Sequence, residues 1–263
     1  MSDPIRVRRP PPPLRRVAVV RAEHRTPHLV RVTLGGPELE GLDPGLPAAS
    51  VRLLLPRGGE LEIPEWGGNV FVHADGTRAA MRTLTPLRFD PTRLELDVEI
   101  VVHGDGPLSA WAADATPGAA TAVSGTGRGY TIDPSVATYV LAGDESALPA
   151  ISTLLSAIPH DAHLTVLAEV AHPDARLDLP THPGAAVGWL DRSAGARPGE
   201  ALVAAVRDAE IAGDSRVWAA GEAASMQRIR THLADERDHP RAQSTVRGYW
   251  KHGRAGDDEA ERP

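Results

Sequence analysis

The chain has 263 residues, a net charge of −7, 41 % hydrophobic residues and no cysteine. That length suits two domains; the missing thiols exclude disulfides, thiolate catalysis, iron–sulfur clusters and Cys-based zinc sites, and the acidic balance argues against a nucleic-acid partner. No apolar run approaches the roughly 20 residues that cross a bilayer, and Met1 to Pro13 lacks the apolar core of a secretory signal, so a cytoplasmic protein without membrane insertion is expected.

The first half reads as β. Arg6 to Arg31 holds eight arginines and no lysine, interleaved with Val17, Val19, Val20, Val30 and Val32. This pattern predicts strands whose arginines form a solvated face. Val17–Arg21 and Leu29–Leu34 are separated by Thr26-Pro27, and Val51–Leu55 is closed by Pro56. Gly58 to Gly76 mixes Gly, Pro and polar residues and reads as a long loop or ragged hairpin. Leu94, Leu96, Val98, Ile100 and Val102 alternate with Glu95, Asp97 and Glu99, the period-two signature of a strand with one buried face. Gly106-Pro107 breaks that strand and starts a helix, and Thr121–Ser124 is a further strand. Short antiparallel strands at this spacing suggest a small barrel.

The second half alternates strand and helix. Strands are expected at Tyr139–Ala142, Leu164–Val170, Ala186–Leu190, Arg216–Ala220 and Val246–Trp250. Helices are expected at Ala147–Ile158, Gly199–Ile211 and Glu222–Glu236. Such alternation implies a doubly wound parallel sheet covered on both faces. The boundary falls near Asp133-Pro134, giving domains at 14–133 and 134–254. Residues 1–13 and 255–263 read as flexible termini, the latter charged and without a core-forming residue.

Four segments carry residues suited to chemistry. In Arg82-Thr83-Leu84-Thr85-Pro86-Leu87-Arg88, an arginine fork suits a diphosphate, although Thr-Pro alone also reads as a turn with solvated arginines. In His103-Gly104-Asp105-Gly106-Pro107-Leu108-Ser109, Ser109 falls in the first turn of a helix, where N–H groups favour an anion. Gly143-Asp144-Glu145 and Gly221-Glu222 each follow a strand with a glycine and an acid before a helix, at the sheet edge where ligands bind. No G-x-S-x-G elbow surrounds Ser146. His160 and His163 read as a polar loop rather than a metal pair, and no metal site is expected.

Taken in order, these segments, with Trp189-Leu190-Asp191-Arg192 and Gly248-Tyr249-Trp250-Lys251-His252-Gly253-Arg254, resemble the siderophore-interacting protein family. These are FAD-dependent ferric-siderophore reductases of the ferredoxin-reductase-like superfamily. The resemblance spans about Arg15 to Gly256. It implies a six-stranded antiparallel barrel holding FAD, a C-terminal domain for NADH or NADPH, and a ferric siderophore as small-molecule substrate. It places Arg82 on the FAD diphosphate and Thr85, with Thr83 and Leu84, at the flavin. His103 and Gly106-Pro107-Leu108-Ser109 would border flavin and diphosphate. The chain departs from the pattern at Leu84, where the family usually has a tyrosine on the flavin ring, and at Leu87, often an arginine; Arg88 would stand in for that cation. Glu169, at the end of the second α/β strand, favours the ribose hydroxyls of NADH, whereas Arg192, after the third, suits the 2′-phosphate of NADPH. Lys251 and Arg254 would hold an anionic ferric complex. A flavin reductase serving another acceptor, and a siderophore-binding or docking protein without turnover, are the rival readings.

Overall fold

The computed structural model describes residues 13–68, 70–102 and 106–253. His103, Arg254 and, apart from Pro13, the expected flexible termini lie outside the described residues. The chain forms two compact units. One comprises the described residues through Glu23 and Val30–Gly129; the other comprises His24–Leu29 and the described residues from Tyr130.

The strands of the first unit, of which β1 ends and β2 begins in the short segment assigned to the second, are β1 (Arg15–Thr26), β2 (Leu29–Gly35), β3 (Val51–Leu54), β4 (Glu65–Trp66), β5 (Phe71–Val72), β6 (Met81–Leu84), β7 (Pro86–Asp90), β8 (Glu95–Val101) and β9 (Ala120–Val123). Seven of them form one curled sheet in the order β6-β3-β9-β1-β2-β8-β7. The count is seven rather than the expected six because one strand is broken. β6 pairs with β3 through Leu84↔Val51, and β7 pairs with β8 from Pro86↔Val98. The two ends of the sheet are therefore joined by Thr85 alone. Pro86 has no N–H to continue a ladder, and the register shifts between Pro86 and Arg88. Arg82 to Arg88 is thus two strands, not a turn. The β4–β5 hairpin sits within the expected ragged excursion.

The barrel core is apolar, built on Val17, Val32, Leu34, Leu53, Leu96, Val98 and Ile100. The other face of β8 is not solvated as its alternation suggested: Asp97 and Glu99 are only 5 % and 6 % exposed. The arginines of neighbouring strands cover them. Arg31 Nη2 lies 2.8 Å from Glu99, Arg88 Nε 3.1 Å from Asp97, Arg21 Nη1 3.0 Å from Glu95, and Thr33 Oγ1 donates to Asp97 at 2.5 Å. Charge-assisted bonds satisfy carboxylates that would otherwise be costly to bury. Part of the arginine-rich N-terminal pattern is explained by this cover. A helix, α1 (Pro107–Ala113), follows β8, with proline at its first position.

In the second unit, β10 (Thr138–Asp144), β11 (His163–Val170), β12 (Ala185–Asp191), β13 (Arg216–Glu222) and β14 (Ser244–Trp250) form a parallel sheet ordered β12-β11-β10-β13-β14. The helices are α2 (Leu148–Ala157), α3 (Glu200–Asp208) and α4 (Ala223–Thr231), the last prolonged by a π-turn over His232–Glu236. Leu202, Val203 and Val206 of α3 and Met226 and Ile229 of α4 pack with Val140, Ala142, Val217 and Ala219. Tyr139 and Leu141 alternate to the opposite face. The order reverses between β10 and β13, so the switch point lies where those strands end.

Candidate functional site

In the first unit the break between β6 and β7 brings the candidate FAD-binding residues to one stretch of sheet. Arg82 is half-buried, with Nη1 donating to the Met81 carbonyl at 3.0 Å. Thr83 is exposed, whereas Thr85 is buried and stands in neither ladder. Leu84 packs against the barrel core, which accounts for an aliphatic side chain there. Arg88 is committed to Asp97 and also approaches Asp90 at 3.9 Å. It is therefore part of the sheet's ionic cover. Ser109 is buried in α1, and Gly106 caps that helix in extended conformation with nothing within 4 Å of where a Cβ would stand. An arginine fork, threonine hydroxyls and an open glycine cap suit a dinucleotide with a diphosphate, so the residues present fit FAD.

In the second unit, the strand ends gather a set of acids, and nearly all of their oxygens are engaged. Asp144, 6 % exposed at the switch point, accepts from Ser146 N (3.0 Å), Ser146 Oγ (2.5 Å), Glu222 N (2.8 Å) and Trp250 Nε1 (2.8 Å). Burial pushes its carboxyl above the ordinary value, and the hydrogen bonds only partly oppose this. Glu145 accepts from Ala171 N at 2.6 Å. Glu222 caps α4 through Ser225 N at 2.9 Å and receives His252 N at 3.2 Å. Asp191 pairs with Arg176 at 2.6 Å.

Glu169 was expected to face a ribose. It is 2 % exposed, and its two oxygens accept Gly199 N at 2.6 Å and Leu202 N at 2.9 Å. It closes the start of α3 instead. The glycines beside these acids also have internal reasons. A Cβ on Gly143 would stand 2.5 Å from Ala147 Cβ, and one on Gly221 would stand 2.5 Å from Asp144 Oδ2.

Above β11 and β12 lies a cleft of about 290 Å³ lined chiefly by His172, Arg192, Ser193, Gly195, Pro198 and His252. Arg192 was singled out from the sequence; His172, Ser193 and Gly195 were not. Their signal was position alone, since they occupy the loops after the second and third strands. Lys251 is exposed at the end of β14 and is the sole lysine of the chain. Trp250 beside it is half-buried, its indole N–H fixed by Asp144. No helix among the described residues is long and apolar enough to cross a membrane, and no cluster of three or more metal-ligating side chains occurs among them.

Comparison with known proteins covers both units. The family model "Siderophore-interacting FAD-binding domain" matches residues 18–129, and "Siderophore-interacting protein" matches 136–253. An uncharacterized protein of Mycobacterium tuberculosis is 33 % identical over 262 residues, covering 92 % of each chain. The ferric vibriobactin reductase of Vibrio cholerae is 28 % identical over 244 residues, 89 % of this chain and 88 % of the relative. A solved siderophore utilization protein from T. fusca superposes with a TM-score of 0.81 at 35 % identity, covering 93 % of this chain and 95 % of that one. With both halves matched in order and the whole fold shared, the chain belongs to the siderophore-interacting protein family.

Proposed function

We propose that the protein is an FAD-dependent reductase that takes electrons from NADH or NADPH and delivers them to the iron of a ferric siderophore. The observation that carries this reading is the pairing, in one chain, of a siderophore-interacting FAD-binding barrel with a siderophore-interacting α/β unit. The relative named as a ferric vibriobactin reductase, aligned over nearly its whole length, supports it. Ferric ion is held by hard oxygen donors, and ferrous ion binds them far less tightly, so reduction releases the metal. Bound FAD would supply the conversion of a two-electron hydride donor into single-electron transfers.

The chain's own part is binding and orientation. Arg82 would hold the diphosphate, with Thr83, Leu84 and Thr85 at the flavin and His103 and Gly106–Ser109 beside it. The α/β edge bearing Gly143, Asp144, Glu145, Gly221 and Glu222 would form the floor of the nicotinamide nucleotide site, its acids holding the backbone in place. No proton transfer by a side chain is needed, which agrees with an edge whose carboxylates already serve the chain's own N–H groups. Lys251 and Arg254 would attract an anionic ferric complex, a local task because the chain as a whole is acidic.

The test is an anaerobic assay of FAD-loaded protein with each nicotinamide, a panel of ferric siderophores and a ferrous-specific chromophore. Ferrous iron should accumulate with at least one siderophore. Flavin that is reduced without ferrous product from any of them would overturn the acceptor, and protein that takes up no FAD would overturn the whole reading.

A further inference from the structure

The two edges of the parallel sheet are not alike. The edge strand β14 is guarded: Arg230 Nη2 donates to its Val246 carbonyl at 2.8 Å, and Arg247 stands within it. The opposite edge, β12, reads Ala-Ala-Val-Gly-Trp-Leu over 185–190, with no charge before Asp191 and no proline. Val187 is one of the few large apolar side chains left exposed, at 42 %. In the ladder with β11, Leu164 N donates to Gly184 O and Arg192 N donates to Val170 O, and the register between them is unbroken. Gly188 and the even-numbered residues around it therefore turn their N–H and C=O groups toward β11, while Val187 and Trp189 turn theirs outward. Those outward groups meet no partner among the described residues. No helix shields this edge either. Leu190 packs on the side of α3 and α4, so Val187 and Trp189 alternate to the other face. The helix of that face, α2, packs on β10, and the crossover from β11 to β12 holds only a 3-10 turn at Pro173–Ala175.

An open, flat, apolar edge is a template for another strand. We infer that it is closed by β12 of a second copy of the chain, paired antiparallel about a twofold axis through Gly188. That register sets Val187 of each copy opposite the partner's Trp189, so the outward backbone groups of the two copies bond to each other. It also forms a β-branched–aromatic pair on each side of the axis, and on the other face it sets Ala186 opposite the partner's Leu190. The two glycines meet at the axis as a pair without hydrogen bonds, where Cα atoms approach to about 4.5 Å. Asp191 falls opposite the partner's Ala185, so the pairing brings no like charges together. One sheet then runs through both chains. A single-strand contact lies at the small end of specific interfaces, so a reversible dimer with a dissociation constant on the order of 10 µM is expected.

Sedimentation equilibrium of the purified full chain over about 1–100 µM should follow this dimerisation. Val187→Lys places a charge on an exposed edge position and should raise the dissociation constant at least about tenfold, with the melting temperature of the dilute chain unchanged. Because the chain has no cysteine, single substitutions report the register. Gly188→Cys has room, since a Cβ there meets nothing closer than 3.7 Å. Mild oxidation should join two copies through that thiol, whereas Val187→Cys, which lies opposite Trp189 and not its own counterpart, should cross-link at least about tenfold more slowly. A wild-type chain that stays monomeric at about 100 µM would overturn the inference and leave the edge to a different partner. A dimer indifferent to Val187→Lys, or cross-linking through Val187→Cys as fast as through Gly188→Cys, would overturn it as well.

Discussion

Asp144→Ala is expected to loosen the switch point of the α/β unit. The carboxylate is buried and joins β10 to the start of α4 and to the end of β14. Its removal leaves Ser146 N, Glu222 N and the Trp250 indole N–H without their acceptor. An orphaned buried donor costs roughly 1–3 kcal/mol. Water entering the vacated space and relief of a desolvated charge offset part of this, so a net loss of about 3 kcal/mol is expected. Denaturant unfolding followed by tryptophan fluorescence reads the loss, and amide exchange at Ser146 and Glu222 reads it locally. A loss below about 1 kcal/mol, with exchange unchanged at both amides, would refute the reasoning.

The pH dependence has a definite sign. Burial raises the folded-state value of Asp144 above the ordinary 3.8, so the folded chain binds this proton more tightly than the unfolded chain does. The group's contribution is fully present below the ordinary value and is lost as pH rises through the raised one. Asp144→Asn removes that contribution, so the wild-type minus variant difference in stability should fall with rising pH across this window.

Other perturbations separate binding roles from structural ones. Arg82→Ala should weaken FAD binding roughly ten- to hundredfold with the fold intact; fluorescence titration with an unchanged dissociation constant would return Arg82 to a purely structural place on β6. Glu169→Ala should destabilise the α/β unit by about 2 kcal/mol through the exposed start of α3, yet leave the NADPH-to-NADH ratio where it was; a shift toward NADPH would mean that Glu169 reaches the ribose after all. Lys251→Ala with Arg254→Ala should raise the KM for an anionic ferric chelate and not for a neutral one, and the effect should shrink with salt because exposed charges are screened over roughly 10 Å at 0.1 M. Equal losses for both chelates would assign the pair no role in attraction. Lys251 also offers a chemical route, since an amine-selective reagent meets no other lysine in the chain.

Much of the architecture was legible because its signals are local. The run from Leu164 to Val170 is apolar on both faces and became a covered parallel strand, and Leu96, Val98 and Ile100 alternated into the barrel core. What stayed hidden depended on partners distant in sequence. The strands at Arg82 to Arg88 are short and interrupted by Pro86, and only pairing with β3 and β8 makes them strands. Asp97 and Glu99 read as solvated because period two does not report that Arg21, Arg31 and Arg88 will lie over them. In the candidate site, the glycine-acid turns were visible but not the direction of the acids. Glu169 looks like a ribose ligand by position and is a helix-closing residue by contact, a distinction set by Gly199 and Leu202, 30 and 33 residues away.

The central place of the last strand, β9, also governs when the first unit can form. β1 is inserted between β2 and β9, and its partner Val123 is the last residue of that sheet to be synthesised. The strands on either side of Thr85 emerge much earlier, yet each needs an inner neighbour to hold its register. Domains assemble as units while synthesis proceeds, and distant pairings carry the loop-closure cost that slows them. During translation the sheet therefore stands as two pieces, β6-β3 and β1-β2-β8-β7, with unpaired inner edges at β3 and β1 until β9 has left the ribosome, and that interval is when this chain is most exposed to edge-to-edge association.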